Sequence, residues 1–173
     1  MQSEWLYKLD IDGQTPLTRA LNSSHMALTE LLLRQEAEDN LDSLEGSTAL
    51  HRAAYLGLAE GTKTLLSEGG DPNRADKYGE TPLHKAARQG HEEVAALLIE
   101  SGANVNETNM FGLTPLHWVA LNGCVPLAEL LVKNGADPHL RDECLDGLSP
   151  LLLAEIMGYQ DIVDVLRTHG AAG

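Results

Sequence analysis

Residues 79–90 read Gly79-Glu80-Thr81-Pro82-Leu83-His84-Lys85-Ala86-Ala87-Arg88-Gln89-Gly90, and the same frame returns along the chain. Thr15-Pro16-Leu17, Thr48-Ala49-Leu50, Thr81-Pro82-Leu83 and Thr114-Pro115-Leu116 succeed one another every 33 residues, and Ser149-Pro150-Leu151 follows after 35. His51, His84 and His117 share one register, and Gly46, Gly79, Gly112 and Gly147 stand two residues before the Thr or Ser. Further on, Gly102-Ala103-Asn104 and Gly135-Ala136-Asp137 recur, with Gly69-Gly70-Asp71 as a variant. A fixed period of this length marks a stack of identical supersecondary units.

The repeated residues have physical jobs. Thr or Ser before Pro reads as a helix N-cap, and Pro suits the first helical position, where its missing N–H would be unpaired anyway. Leu and the Ala pair lie on one side of a short helix and are small enough to let neighbouring helices approach. Gly57, Gly90, Gly123 and Gly158 end that helix in a left-handed conformation. A second helix follows, with Leu65-Leu66, Leu97-Leu98, Leu130-Leu131 and Val165-Leu166 at helical spacing. Pro126 falls in the opening turn of its helix, where it is tolerated. Gly and an Asp/Asn-rich turn then lead to the next unit. Each unit reads as turn, helix, turn, helix.

The period and the Thr-Pro-Leu-His element resemble the ankyrin repeat over roughly residues 10–173. The third unit carries Asp76, Gly79, Thr81-Pro82-Leu83-His84, Ala86-Ala87, Gly90-His91, Leu97-Leu98 and Gly102-Ala103-Asn104-Val105-Asn106. The resemblance implies an all-α repeat solenoid in which each unit is a β-hairpin or turn followed by an antiparallel helix pair. Five units are expected, at about residues 10–42, 43–75, 76–108, 109–141 and 142–173, after a lead-in over residues 1–9 whose Trp5, Leu6 and Tyr7 fold against the open end. Thr18 and Glu36 depart from the pattern in the first unit, as does Leu152, in place of His, in the last. End units have one neighbour and are expected to be atypical, so these two read as caps. Two extra residues lengthen the turn Asp142-Glu143-Cys144-Leu145-Asp146-Gly147.

Composition narrows the function. Hydrophobic residues make up 43% of the chain but aromatic ones only 4%, so the core must be built from Leu, Ala, Val and Ile. A formal charge of −14, from 26 acidic and 12 basic residues, argues against nucleic acid, whose binders carry clustered positive charge. It favours a basic or amphipathic protein segment as partner. No run approaches the ~18 apolar residues of a membrane span. Met1-Gln2-Ser3-Glu4 lacks the features of a signal peptide, and a cytoplasmic or nuclear location is expected.

Chemical readings of single residues are weak. His51, His84 and His117 are displaced along the solenoid by the repeat itself and do not converge; the resemblance gives them a structural role, bonded to the local Thr and neighbouring backbone. His91 belongs to the turn between helices. Cys124 beside His117 would be the basis of a thiol-dependent enzyme, but the rest of the constellation is missing. Cys124 and Cys144 lie about one nine-residue helix apart, roughly 13 Å, beyond the ~7 Å a disulfide spans. The acidic group Glu36, Glu38, Asp39, Asp42 and Glu45 lacks calcium-loop spacing, and the glycines form no phosphate cradle. No cofactor, metal or catalytic residue is assigned.

The resemblance places partners on the hairpin tips and on the concave face of the first helices. Carried onto this chain, the tips are Ile11-Asp12, Leu44-Glu45, Lys77-Tyr78, Met110-Phe111 and Glu143–Asp146. The concave pairs are Tyr55-Leu56, Arg88-Gln89, Leu121-Asn122 and Ile156-Met157. Tyr78, Met110, Phe111, Leu113, Tyr55, Leu121, Ile156 and Met157 then form an apolar strip, with Lys77 and Arg88 as a local positive spot and Trp118 beside it. Exposed apolar and aromatic anchors of this kind mark interaction surfaces. Asn106 resembles the residue hydroxylated in many ankyrin domains, and Asn73 does so less closely; each also has an ordinary turn-stabilising role. The expected function is non-catalytic protein binding by a monomeric adaptor, inhibitor or scaffold. The alternative is a module that self-associates through the Met110–Phe111 strip.

Overall fold

The computed structural model describes residues 8, 10, 11, 16, 19, 20, 47–144 and 147–170. The expectations for Trp5, Leu6 and Tyr7, for Asp12, for the tip Leu44-Glu45, for the acidic group Glu36 to Glu45, for Thr18, and for Leu145 and Asp146 lie outside the described residues.

Eight helices are described, in consecutive pairs: α1 (Ala49–Leu56) with α2 (Ala59–Ser67), α3 (Pro82–Gln89) with α4 (Glu92–Glu100), α5 (Pro115–Asn122) with α6 (Val125–Lys133), and α7 (Pro150–Met157) with α8 (Gln160–Gly170). The local chemistry of the first helices follows the repeat. Thr81 is extended (φ −88°, ψ 168°), Pro82 opens α3, and Gly90 closes it at φ 77°, its N–H donating to carbonyls of the last turn. The second helices start on residues without a capping side chain, and in α4 Glu92 and Glu93 place negative charge at the positive end of the helix dipole.

The first helices α1, α3, α5 and α7 stack side by side in chain order, and α2, α4, α6 and α8 form a second row behind them. Ala53, Ala54, Ala86, Ala87 and Ala120 are fully buried between first helices, which their small side chains let approach closely, and Val119 fills the register of Ala53 and Ala86 in α5. Leu83, Leu98, Leu116, Leu127, Leu131, Ile162 and Leu166 fill the space between rows and are buried completely. Burial of each contributes roughly 1.5–3 kcal/mol, and truncating one to Ala costs about 2–5 kcal/mol.

The connections ahead of the first helices form turns, and no β-strand occurs among the described residues. The Asp76 N–H donates to the Glu80 carbonyl and that of Asn109 to Leu113. Inside each loop the Asx side chain takes the bonds a strand ladder would supply: Asp76 Oδ1 accepts from the N–H of Tyr78 and Glu80, and Asn109 Oδ1 from Phe111 and Leu113.

The last described unit carries polar residues at places that are apolar in the earlier ones. Where the earlier units have Ala54, Ala87 and Ala120, all fully buried, α7 has Glu155, and where they have Leu66, Ile99 and Val132, α8 has Arg167. Arg167 Nη2 lies 2.6 Å from Glu155 Oε1. A charged pair thus replaces the apolar pair against which another unit would pack.

Candidate functional site

The tips are set by the Asx loops and joined from one unit to the next. The Met110 N–H donates to the Tyr78 carbonyl at 2.9 Å, and Glu143 N–H to that of Phe111 at 3.0 Å. Gly112, at φ 73°, makes the second contact possible, since a Cβ there would sit 2.6 Å from Glu143 N. Lys77-Tyr78, Met110-Phe111 and Glu143-Cys144 therefore form a row of fixed turns along one edge.

At this edge Met110 is 58% exposed and Phe111 39%, and Tyr78 is exposed beside them with the Lys77 ammonium 4.7 Å from its ring centre. On the first-helix row Tyr55 (47%), Leu56, Ile156 (62%) and Met157 are exposed. Leu121 and Trp118 are half-buried. Leu113 does not belong to the exposed strip: it is 6% accessible, because it closes the Asn109 loop and its side chain turns into the stack. Leu152, not anticipated as part of the surface, is exposed as well.

The histidines tie units together. His84 Nδ1 accepts from the Thr81 N–H at 3.1 Å, with the Thr81 hydroxyl 2.9 Å away, so Nε2 carries the proton and donates to the Leu113 carbonyl at 3.0 Å. His51 does the same between Thr48 and the Glu80 carbonyl, and His117 between Thr114 and the Leu148 carbonyl. Burial pushes all three imidazoles below their ordinary pKa of 6.5, against the opposing pull of the accepting carbonyl. They are neutral spacers with both nitrogens engaged. At the corresponding place α7 has Leu152, and the Ser149 hydroxyl accepts from the Leu152 N–H instead. His91 Nε2 reaches back to the Tyr55 carbonyl at 3.1 Å.

Three groups not singled out as a set by the sequence hold this face. Lys85 Nζ bridges Asp76 Oδ2, at 2.8 Å, and Glu80 Oε2. Burial alone would raise the Asp76 pKa, but Lys85 and the N–H groups of Glu80 and Tyr78 outweigh it and hold the carboxyl below its usual range. Burial likewise works against the Lys85 cation, and the two carboxylates raise its pKa overall. Asn122 Nδ2 donates to the Ala87 and Arg88 carbonyls at 2.8 and 3.2 Å, fixing the last turn of α3. The Arg88 guanidinium lies over the Trp118 ring, 5.0 Å from its centre, while the indole Nε1 is buried without an acceptor among the described residues. None of these contacts is visible as a motif: the first is made by the fold of one loop against its own helix, and the other two join residues of neighbouring units.

Asn106 spans two units: Nδ2 donates to the Gly135 carbonyl at 2.9 Å and Oδ1 accepts from the Asp137 N–H at 2.8 Å. Asn73 is held the same way by Gly102 and Asn104. Cys124 is half-buried, Cys144 is exposed, and both are free thiols. Among the described residues no group of three or more His, Cys, Asp or Glu side chains is arranged to hold a metal ion, and no helix is long and apolar enough to cross a membrane.

A family model described as ankyrin repeats (3 copies) matches residues 3–76, 40–109, 62–142 and 106–172. The chain belongs to the ankyrin-repeat family. Ankyrin repeats are generally protein-interaction modules, and in this ankyrin-repeat protein the loop-and-helix stack holds Tyr78, Met110, Phe111 and Tyr55 at the surface. No curated protein matches the chain.

Proposed function

We propose that the protein is a non-catalytic binding module, an adaptor, inhibitor or scaffold, that receives a partner protein on its first-helix face and loop tips. The observation that carries this reading is the exposure of Met110 and Phe111 on turns already fixed by their own backbone bonds. Their side chains are not needed to close the loop, which Asn109 and Gly112 accomplish. Large apolar side chains carried on a backbone already fixed spare a partner the cost of ordering the loop when they are covered, which suits them as anchors. Two free cysteines accord with a reducing compartment, cytosol or nucleus.

Affinity capture from cell lysate, read by mass spectrometry, tests the reading. Wild type is run beside a Tyr78→Asp/Phe111→Asp variant and a second-row control, Glu93→Lys. The expected result is a protein held by wild type and control and lost by the double variant, whose circular dichroism and thermal unfolding remain those of wild type. Capture of the same proteins by all three would place binding elsewhere. Sedimentation equilibrium of the purified chain separates this reading from self-association through the same strip, which would give a concentration-dependent mass.

A further inference from the structure

The net charge of −14 does not describe the first-helix face. Helices α1, α3 and α5 contain Arg52, Lys85 and Arg88 and no Asp or Glu, and the Glu155 of α7 is paired with Arg167. The second row differs: α4 carries Glu92, Glu93 and Glu100 with no basic residue, α8 carries Asp161 and Asp164 against Arg167, and the rest of the acidic excess lies outside these helices. The Lys85 charge is matched by Asp76 and Glu80. Arg88 differs. It is exposed, and its guanidinium is set over Trp118 with no ion pair among the described residues.

That arrangement suits a carboxylate. A guanidinium stacked on an aromatic face keeps the N–H groups at its rim, the geometry that grips a planar carboxylate with two parallel bonds. The backbone beneath it is fixed, because Asn122 holds the Ala87 and Arg88 carbonyls. The fold does not demand an aromatic under Arg88, since the units before it place Arg52 and Lys85 where Trp118 stands. Tyr55 and Leu121 occupy the register of Arg88 in the flanking units, so an apolar side chain has a seat on either side of the cation.

We propose that the occupant of this face is an acidic segment of a partner protein, with an Asp or Glu carboxylate paired to Arg88 and apolar neighbours resting on Tyr55 and Leu121. The proposal rests on the protein-binding reading above and gives the partner its chemistry. A basic segment, which the overall charge favours, meets like charge at Arg88 and finds its complement on the second-helix row instead.

A random peptide library displayed on phage, selected against the full chain, tests this directly. The expected pool is enriched in Asp or Glu next to Leu, Phe or Trp. A synthetic peptide from that pool should bind Arg88→Gln at least about tenfold more weakly, as should the peptide with its acid changed to the amide. Combining the two changes should add little, because both remove one contact. A neutral or basic pool, or an acidic peptide indifferent to Arg88→Gln, overturns the acidic partner while leaving protein binding standing. A library yielding nothing above an empty-bait control also overturns it. The protein-binding reading falls separately, by lysate capture that yields nothing above an empty-bait control, and its placement on the tips falls by capture that the tip variant does not change.

Discussion

His84 Nε2 donates to the main-chain carbonyl of Leu113, 29 residues further on, while its Nδ1 accepts from Thr81. One side chain thus fixes the start of its own helix and the loop of the next unit. Replacing it by Leu, the residue found at this place in the last unit, strands the buried Thr81 N–H and removes one of the two bonds to the Leu113 carbonyl, which keeps that from the Asn109 N–H. His84→Leu should cost about 2–4 kcal/mol near neutral pH, measured by urea unfolding.

The same geometry sets a pH dependence. His51, His84 and His117 are pushed below 6.5 in the folded state, so on acidification the unfolded chain takes up protons that the folded chain refuses. Their stabilising contribution is complete above pH 6.5 and is lost as pH falls towards the lower folded values. Each histidine adds a slope of up to about 1.4 kcal/mol per pH unit in that window. Urea unfolding between pH 7.5 and 5 should show the decline, and His84→Leu should make it shallower. A stability curve flat to pH 5 would contradict this account.

Glycine at position 112 serves an approach between units as well as a turn. Gly135 is also left-handed, at φ 89°, yet a Cβ there meets nothing within 4 Å. Gly135→Ala should therefore cost only the conformational term, about 1–2 kcal/mol. Gly112→Ala adds a collision with Glu143 N and breaks its bond to Phe111, so it should cost at least ~1 kcal/mol more. Equal losses in paired thermal melts would show that the tips are not tightly joined.

Thr62 is fully buried and its hydroxyl has no partner among the described residues. Ala95, Ala128 and Val163 stand at the same place in the later units. Thr62→Val keeps the shape and removes the unsatisfied group, so it should stabilise the protein by about 1 kcal/mol. A loss of stability in chemical denaturation would reveal a bonded hydroxyl.

Phe111 and Leu113 are two residues apart and face opposite fates. Phe111→Asp should change stability by less than about 1 kcal/mol, whereas Leu113→Asp buries a carboxylate and should cost more than about 3 kcal/mol. Thermal melts of the two variants, run before any binding assay, separate anchor from core.

By itself the sequence determined the period of the units, the helix starts at Thr-Pro or Thr-Ala, the left-handed ends at Gly90 and its equivalents, and a core of Leu and Ala. These are local consequences of residue type, and repetition in register made each of them legible several times over. It also placed the tips at Tyr78 and Phe111, because the Gly two residues before each Thr marks the turn. The tertiary structure decided which side chains meet, across a loop or between units, because that depends on where the chain folds back rather than on residue type along it. Leu113 looked like a member of the exposed strip and is core, because loop closure by Asn109 turns it inward. Lys85 shares the register of Arg52 and is bound between Asp76 and Glu80. Arg88 and Trp118 came together only when α3 and α5 packed side by side. The sign of charge on the first-helix face emerged the same way, since charge summed along a chain says nothing of which row of helices carries it.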